Sequence, residues 1–467
     1  MDSMQDPEAP KKAPWLINRN YRFLFAGQVI SLFGDQVSTY TIILWIVTII
    51  AAGRSWAPLA ISAVLISSIL PNLCIGFFAG VFVDRWNPRL TMMRADLLRA
   101  VLALLLVCCT GILPLPAFLH SPMVQISLIC ALTFLSSASA QFFNPAYMSL
   151  IASIIPAEDL PRAAGLGQTM QAFATILGPL LAAPLFFSFG VTWALLIDAL
   201  SFIVSFGTIA AIHISYMLPT SSEPNNFWRE FKEGFHFSFS NLTIRTLIVT
   251  SFIATLGAGA FDALYVFFLT GNLHTSASFS GVIATSLGIG TILGAFIATK
   301  STRFFKIEYL FSFSLAGIGV SLLIISRLTV FPVAIFFFLL FGLFLASLRV
   351  ASSPLLLGET PQNMIGRVVA VLGPTSTIAS LVAAMLSGFL ASVLLVHLHW
   401  NVLGTIFGPI DTIFVGVSIL FLIAAFYAYR MLQKRIAPTV ATTQVQDPVE
   451  AVIEDEVYAY IQEQEDV

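Results

Sequence analysis

Residues 80–89 read Gly-Val-Phe-Val-Asp-Arg-Trp-Asn-Pro-Arg and separate two long apolar stretches, at 59–83 and 90–113. Each stretch reaches the roughly 20 residues that an α-helix needs to cross a bilayer core about 30 Å thick. The charged and turn-forming residues between them predict a short loop at the membrane surface that joins two spanning helices.

The same pattern continues along the whole chain. Of its 467 residues, 58% are hydrophobic and 10% are charged, whereas a soluble domain is about 45–50% apolar and about 25% charged. Apolar stretches long enough to span a bilayer lie near 23–50, 59–83, 90–113, 123–145, 164–189, 191–215, 244–270, 278–299, 307–326, 329–350, 366–395 and 403–429. The predicted fold class is therefore an all-α polytopic membrane protein with twelve transmembrane helices.

Basic residues give the orientation, because loops rich in Lys and Arg stay in the cytoplasm. With twelve spans, only Arg54 and Arg327 fall on the outer side, and the other twenty basic residues are assigned to the inner side. One inner group follows the second span and contains Arg85, Arg89, Arg94 and Arg99. We therefore expect a multi-pass protein of the cell membrane with both termini in the cytoplasm.

Two similar halves are indicated by recurring residues. Asn144-Pro145 is followed by Pro156 and Arg162, and Ser353-Pro354 is followed by Pro361 and Arg367. Parallel six-span repeats place a binding site between the halves near the bilayer midplane. The predicted organisation is an N-terminal segment, a six-helix bundle, a cytoplasmic loop, a second pseudo-symmetric six-helix bundle and an acidic tail, at 1–17, 18–217, 218–243, 244–435 and 436–467.

The loop at 80–89 resembles the motif G-x-x-x-D-R-x-G-R-R/K of the major facilitator superfamily. Gly80, Asp84, Arg85 and Arg89 match it. Asn87 replaces the second glycine, and since Asn tolerates positive φ we expect the turn to keep that conformation. The resemblance implies that the four matched residues form a gating motif that latches the two halves in the outward-open state.

A particular branch of the superfamily is indicated by residues 18–28, 31–35 and 197–202, which look like its macrolide-efflux and enterobactin exporters. The Gly178-Pro179 pair is similar to the antiporter signature of the fifth helix, although further glycines of that signature are missing here. The resemblance covers roughly residues 15–435 and implies rocker-switch transport.

Two aspartates within spans are the main candidates for function. Carboxylates in a bilayer are costly and therefore mark functional sites. Asp35 lies near the middle of the first span, and Asp262 lies at the matching place of the seventh. A carboxylate removed from water binds a proton more readily, so both are predicted to couple protons or to recognise cations. The alternative is that each carboxylate only holds helices together.

Uncharged polar residues are the candidates for binding substrate. They are Gln28, Asn144, Gln168, Gln171 and Tyr265. Their amide and hydroxyl groups can bond a polar substrate without adding charge, and they can equally bond neighbouring helices.

Other functional classes fit the sequence poorly. A net charge of -2 gives no basic excess for nucleic acid, and the nearest approach to a P-loop, at 294–301, has Thr in place of the second glycine. An aspartyl protease built from Asp35 and Asp262 fits a twelve-span repeat less well than transport does. No metal site, cofactor or enzymatic activity is expected.

The predicted function is secondary active export of amphipathic small molecules, such as drugs or macrolide-like metabolites, by proton antiport. The proton gradient would be the energy source, and the partners would be the substrate and membrane lipids, with the chain acting as a monomer. The alternatives are export of a siderophore, lipid or metal ion by the same fold, and a receptor that does not transport.

Overall fold

A computed structural model describes residues 17–83, 85–112, 121–213, 227–396, 400–402 and 405–443. Twelve of its helices are long and apolar enough to cross a membrane, which confirms the predicted fold class. The helices of the first half are α1 Arg19–Trp45, α2 Ala57–Cys74, α3 Gly76–Val83, α4 Pro88–Val107, α5 Pro122–Ile154, α6 Leu160–Phe189 and α7 Val191–Ala210. The remaining helices are α8 Phe227–Ser240, α9 Leu242–Gly271, α10 Ser280–Ser301, α11 Ile307–Ile325, α12 Phe331–Glu359, α13 Ile365–Phe389 and α14 Pro409–Thr443.

Short elements extend or connect these helices. Single π-helical turns continue α1, α4 and α13, at Ile46–Ile50, Cys108–Ile112 and Leu390–Leu394. Turns of 3-10 helix precede α6, α10 and α13, at Ala157–Asp159, Ala277–Phe279 and Gln362–Met364. An antiparallel hairpin precedes α14, with β1 Trp400–Val402 paired to β2 Thr405–Phe407 so that Trp400 faces Phe407.

Several boundaries differ from the sequence prediction, and three of them change how the chain is divided into elements. The second span is two helices, because α2 ends at Cys74 and α3 begins at Gly76. The last span begins at Pro409 rather than 403, since residues of its expected start form the hairpin. Finally, α14 continues to Thr443, so the first residues of the expected tail are helical, while 444–467 lie outside the described residues.

Helix packing repeats between the halves. In the first half α7 packs against α1 and α4, and in the second half α14 packs in the same way against α9 and α11. Across the halves, α2 packs against α13 while α6 packs against α10. The second helix of each six-helix set thus meets the fifth helix of the other set, as a two-fold repeat requires.

The apolar contacts between the two halves, within the described part of the chain, lie in the outer and middle parts of the helices. Inner denotes the side on which α1 begins. One apolar core combines outer residues of α1 and α2, such as Ile43 and Ile61, with residues of α9 such as Phe268. Inner residues of the first half, including Tyr21 and Met92, form a separate core without second-half members. The space between the halves therefore opens toward the inner side.

Close contacts at the outer side confirm this closure. The Leu59 amide donates to the Ser392 hydroxyl at 3.1 Å, and a Cβ added to Gly388 would collide with the Ser62 side chain. The rings of Tyr40 and Tyr265 also meet edge to face, with centroids 6.3 Å apart. These contacts link α1, α2, α9 and the end of α13.

The helix α8 docks on the inner end of the second half. Glu233 pairs with Arg367 of α13 at 2.6 Å, and a Cβ on Gly234 would lie 2.6 Å from the Arg367 carbonyl oxygen. We infer that α8, which lies in the predicted cytoplasmic loop between the halves, moves with the second half.

Candidate transport site

Asp35 is held by an arginine of a neighbouring helix. One Nη of Arg99, on α4, donates to both carboxylate oxygens at 2.7 Å. The Asp35 side chain is 32% exposed and the Arg99 side chain only 10%. The carboxylate thus faces water on one side while its counter-ion lies inside the bundle, and charge-assisted bonds of this kind are about twice as strong as neutral ones.

Two further carboxyl groups surround Arg99. Asp96, one helical turn earlier on α4, is fully buried and has an oxygen 4.0 Å from the guanidinium. Neither of its oxygens accepts a hydrogen bond. Asp198 on α7 is also buried, with one oxygen unbonded. The Phe202 ring lies under the guanidinium, 4.1 Å from its carbon, a distance typical of a cation–π contact.

The place of Arg99 corrects the sequence analysis, which assigned it to the inner surface. It lies near the middle of the third spanning helix, Pro88–Ile112, and its main partner is 64 residues away in the chain. The missed signal was Asp96 and Arg99 at i and i+3 within an apolar helix, since this spacing brings both to one face.

A polar cavity of about 250 Å³ opens beside this cluster. We call it the Asp35 cavity; its polar lining comes from α1, α2, α4, α5 and α7, as Asp35, Ser38, Thr39, Ser68, Arg99, Thr133, Ser136, Ser137 and Asp198. Asn144 is exposed and continues the α5 face of Thr133 and Ser137 toward the inner side, by helical periodicity. This volume holds several water molecules or part of an organic ligand.

Asp262 lies on the opposite half, just inside the closed outer end. It is exposed, and it lies close enough to Tyr40 of α1 and Tyr265 of α9 to interact with both electrostatically. Asp262 precedes Tyr265 by three residues, and Asp35 precedes Tyr40 by five, so the two acids lie at similar depth. No described Lys or Arg forms an ion pair with Asp262 within 4.0 Å, which distinguishes it from Asp35.

The remaining candidate residues take different places. Gln168 and Gln171 are exposed, on the face of α6 opposite the apolar groove formed by Leu166, Met170 and Phe173. Gln28 is buried and donates to the Ser205 hydroxyl of α7 at 3.4 Å. Tyr265 is buried in the outer closure.

The residues predicted to form the gating motif take different places. A Cβ added to Gly80 would meet nothing within 4 Å, so no described helix packs against this glycine. Arg85 is exposed, while Arg89 donates to the carbonyl oxygens of Ile209 and Ala210 at 3.2 and 2.5 Å and so caps the inner end of α7. Asp84 lies outside the described residues.

The backbone at Asn87 differs from the turn with positive φ that the sequence predicts. Its φ is -71°, not positive, and its side chain accepts from the Leu90 amide at 3.2 Å as the N-cap of α4. Asn is among the best N-cap residues, so the replacement of glycine here starts the third spanning helix.

A family comparison agrees with this architecture. The family model described as transmembrane secretion effector matches residues 11–431, nearly the whole described region. The chain belongs to this family. Its membership confirms the resemblance to the efflux branch of the major facilitator superfamily, and together with the twelve apolar helices it shows a multi-pass membrane protein.

Individual relatives are distant. Macrolide efflux protein A of Streptococcus pyogenes is 24% identical over 81% of this chain and 91% of its own length. The uncharacterized MFS-type transporter YkuC of Bacillus subtilis is 26% identical over 66% of this chain and 71% of its own. The solved structure of a bacterial homolog of the human lysosomal transporter Spinster, inward-facing and unoccupied, covers 89% of this chain and 97% of its own at 12% identity, with a TM-score of 0.66. At this identity, that likeness shows the fold.

Within the described ranges, no three His, Cys, Asp or Glu side chains are grouped so that they could hold a metal ion.

Proposed function

We propose that this protein is a secondary active transporter that exports amphipathic small molecules by proton antiport, through alternating access of one central site. The observation that carries the proposal is the placement of Asp35 and Asp262 on facing halves, at similar depth, below a closed outer end. Carboxylates exposed to a space between two mobile halves can exchange protons or cations with whichever side is open.

The surroundings of these acids favour an amphipathic substrate. Polar groups are available at the Asp35 cavity and at Asn144, Gln168 and Gln171, while apolar side chains make up most of the helices. Ligand sites of this kind combine an apolar lining with few placed polar groups. Macrolide efflux protein A, a relative, suggests large drug-like molecules as the first substrates to try.

The proposed setting is the cell membrane, with both termini in the cytoplasm and the proton gradient as the energy source. The chain would act as a monomer among lipids. The opened Gly80 and exposed Arg85 support release of the latch in the inward-facing state, whereas closing the inner side would bring a second-half helix against Gly80.

A substrate panel in efflux-deficient cells tests the proposal. Cells producing the protein should tolerate more of at least one amphipathic drug than cells producing Asp35→Asn at equal abundance, and should lose that advantage when a protonophore collapses the gradient. Protection confined to siderophores, lipids or metal salts would replace the proposed substrate class. Binding of a compound without any change in its accumulation would indicate a receptor and overturn the transport proposal.

A further inference from the structure

We propose that Arg99 is a counter-ion shared by Asp35 and Asp96, and that a cationic substrate group binding Asp35 drives Arg99 onto Asp96 and thereby expels a proton from Asp96. This inference rests on the proposed antiport and names both the chemical class of the substrate, an amphipathic cation, and the group that releases the proton.

The first support is the balance of charge in the cluster. One guanidinium lies among three carboxyl groups, those of Asp35, Asp96 and Asp198. It bonds only Asp35. An ionised carboxylate buried without a paired cation costs several kcal/mol, and Asp96 is fully buried beside the neutral Ser205 hydroxyl, with the guanidinium beyond bonding distance. These surroundings favour the neutral, protonated form of Asp96 in this conformation.

The second support is the short distance between the Arg99 guanidinium and the Asp96 carboxyl group. The Arg99 Nη1 atom lies 4.0 Å from an Asp96 oxygen, and a charge-assisted bond is about 2.7–2.9 Å long. A movement of a little over 1 Å brings the guanidinium onto Asp96. The Phe202 ring below it can support both positions, because a cation–π contact does not fix the direction of the N–H groups.

Among the described residues, Asp198 is the one further charged group near Arg99. The helices packed on α4 are α5 and α7; α5 has no charged residue, and α7 contributes only Asp198. On α1, the acid facing Arg99 is Asp35. The neutral group facing Asp96 is the Ser205 hydroxyl. Asp198 lies farther from Arg99 than the other two acids do.

The exchange conserves charge. Before binding, Asp35 is anionic, Arg99 cationic and Asp96 neutral, so the three groups sum to zero. A monovalent cation pairs with Asp35, which is partly exposed to the Asp35 cavity. Arg99 then bonds Asp96 as the O–H bond of Asp96 breaks, and the released proton ends in bulk water. One cation enters for each proton released, and the net charge remains zero.

Tetraphenylphosphonium is a suitable probe, because it is amphipathic and keeps its charge at every pH. Purified full-length protein in weakly buffered detergent solution is mixed with this cation, and proton release is read from a pH dye against binding measured by equilibrium dialysis. We expect one proton released per cation bound by the wild type. Asp96→Asn, which mimics the protonated acid, should bind the cation and release none.

The controls separate this inference from its rivals. Asp411→Asn changes a buried carboxylate at the outer end of the other half and should release protons as the wild type does. The inference is overturned if the wild type does not bind the cation, if it releases no proton, or if Asp96→Asn releases as many as the wild type. Loss of release in Asp198→Asn, with release kept in Asp96→Asn, would overturn it equally.

Failure of this inference is distinguishable from failure of the proposed antiport. If Asp96→Asn releases protons normally while the wild type still moves a drug against a gradient in vesicles, only the Arg99 exchange is wrong. If the wild type moves no drug under any gradient, the transport proposal itself fails.

Discussion

A double-mutant cycle at Asp35 and Asp96 gives the sharpest prediction for stability. Asp35→Asn removes two charge-assisted hydrogen bonds, each worth about 1.5–3 kcal/mol. Arg99 can then move onto Asp96, which ionises, and the new bonds recover most of the loss. We expect a net cost of about 1–2 kcal/mol for this variant, within the range of a partly replaced charge-assisted bond.

Asp96→Asn alone should cost at most about 1 kcal/mol, the net worth of one hydrogen bond, because the acid is already neutral. The double variant leaves Arg99 buried without a carboxylate close enough to pair, and uncompensated buried charges cost about 3–5 kcal/mol. Subtracting the mid-range single costs from the mid-range cost of the double variant leaves a coupling of about 2 kcal/mol, as contacting residues can show.

The assay is reversible denaturant unfolding of the detergent-purified variants, followed by tryptophan fluorescence and expressed as the free energy of unfolding. Asp35→Asn combined with the remote Asp411→Asn is the matched control and should be additive. Additivity of Asp35→Asn and Asp96→Asn within about 0.5 kcal/mol would refute the reasoning, because Arg99 would then never use Asp96.

Three further predictions concern other parts of the molecule. Gly388→Leu should overpack the α2–α13 contact, lower the free energy of unfolding by about 1–3 kcal/mol and lengthen spin-label distances across the outer ends. Gly373→Leu, at a position that faces open space, should change neither quantity. Equal distances in both variants would contradict the closure. Glu233→Gln removes a partly exposed ion pair worth up to about 1 kcal/mol and should speed hydrogen exchange in α8, while Lys232→Gln leaves it unchanged; no difference would show that α8 docks by other contacts. Asp262→Asn should preserve the free energy of unfolding but abolish gradient-driven transport, and retained transport would exclude it from coupling.

The twelve spans could be predicted from sequence because length and hydropathy are properties of each segment alone. The boundaries failed where a local feature intervened, as at the hairpin before α14 and the break at Ile75 between α2 and α3. Neither feature interrupts the apolar composition, so hydropathy does not detect it.

The site was harder to predict because its contacts join distant segments. Periodicity places Gln28 and Asp35 on one face of α1, but only the packed helices show that Ser205 covers Gln28 while Arg99 reaches Asp35. Because an arginine inside a bilayer is rare, the count of basic residues assigned Arg99 to the inner surface. Its buried place depends on a carboxylate of another helix, which no single-segment rule includes.

Proton-coupled export through alternating access is best tested by flux into vesicles. Purified protein in proteoliposomes is given an imposed pH gradient, and accumulation of a drug identified in the cell panel is measured with wild type, Asp35→Asn and a protonophore. We expect uptake that requires the gradient and disappears in the variant. Flux that is indifferent to both the gradient and the substitution would contradict it.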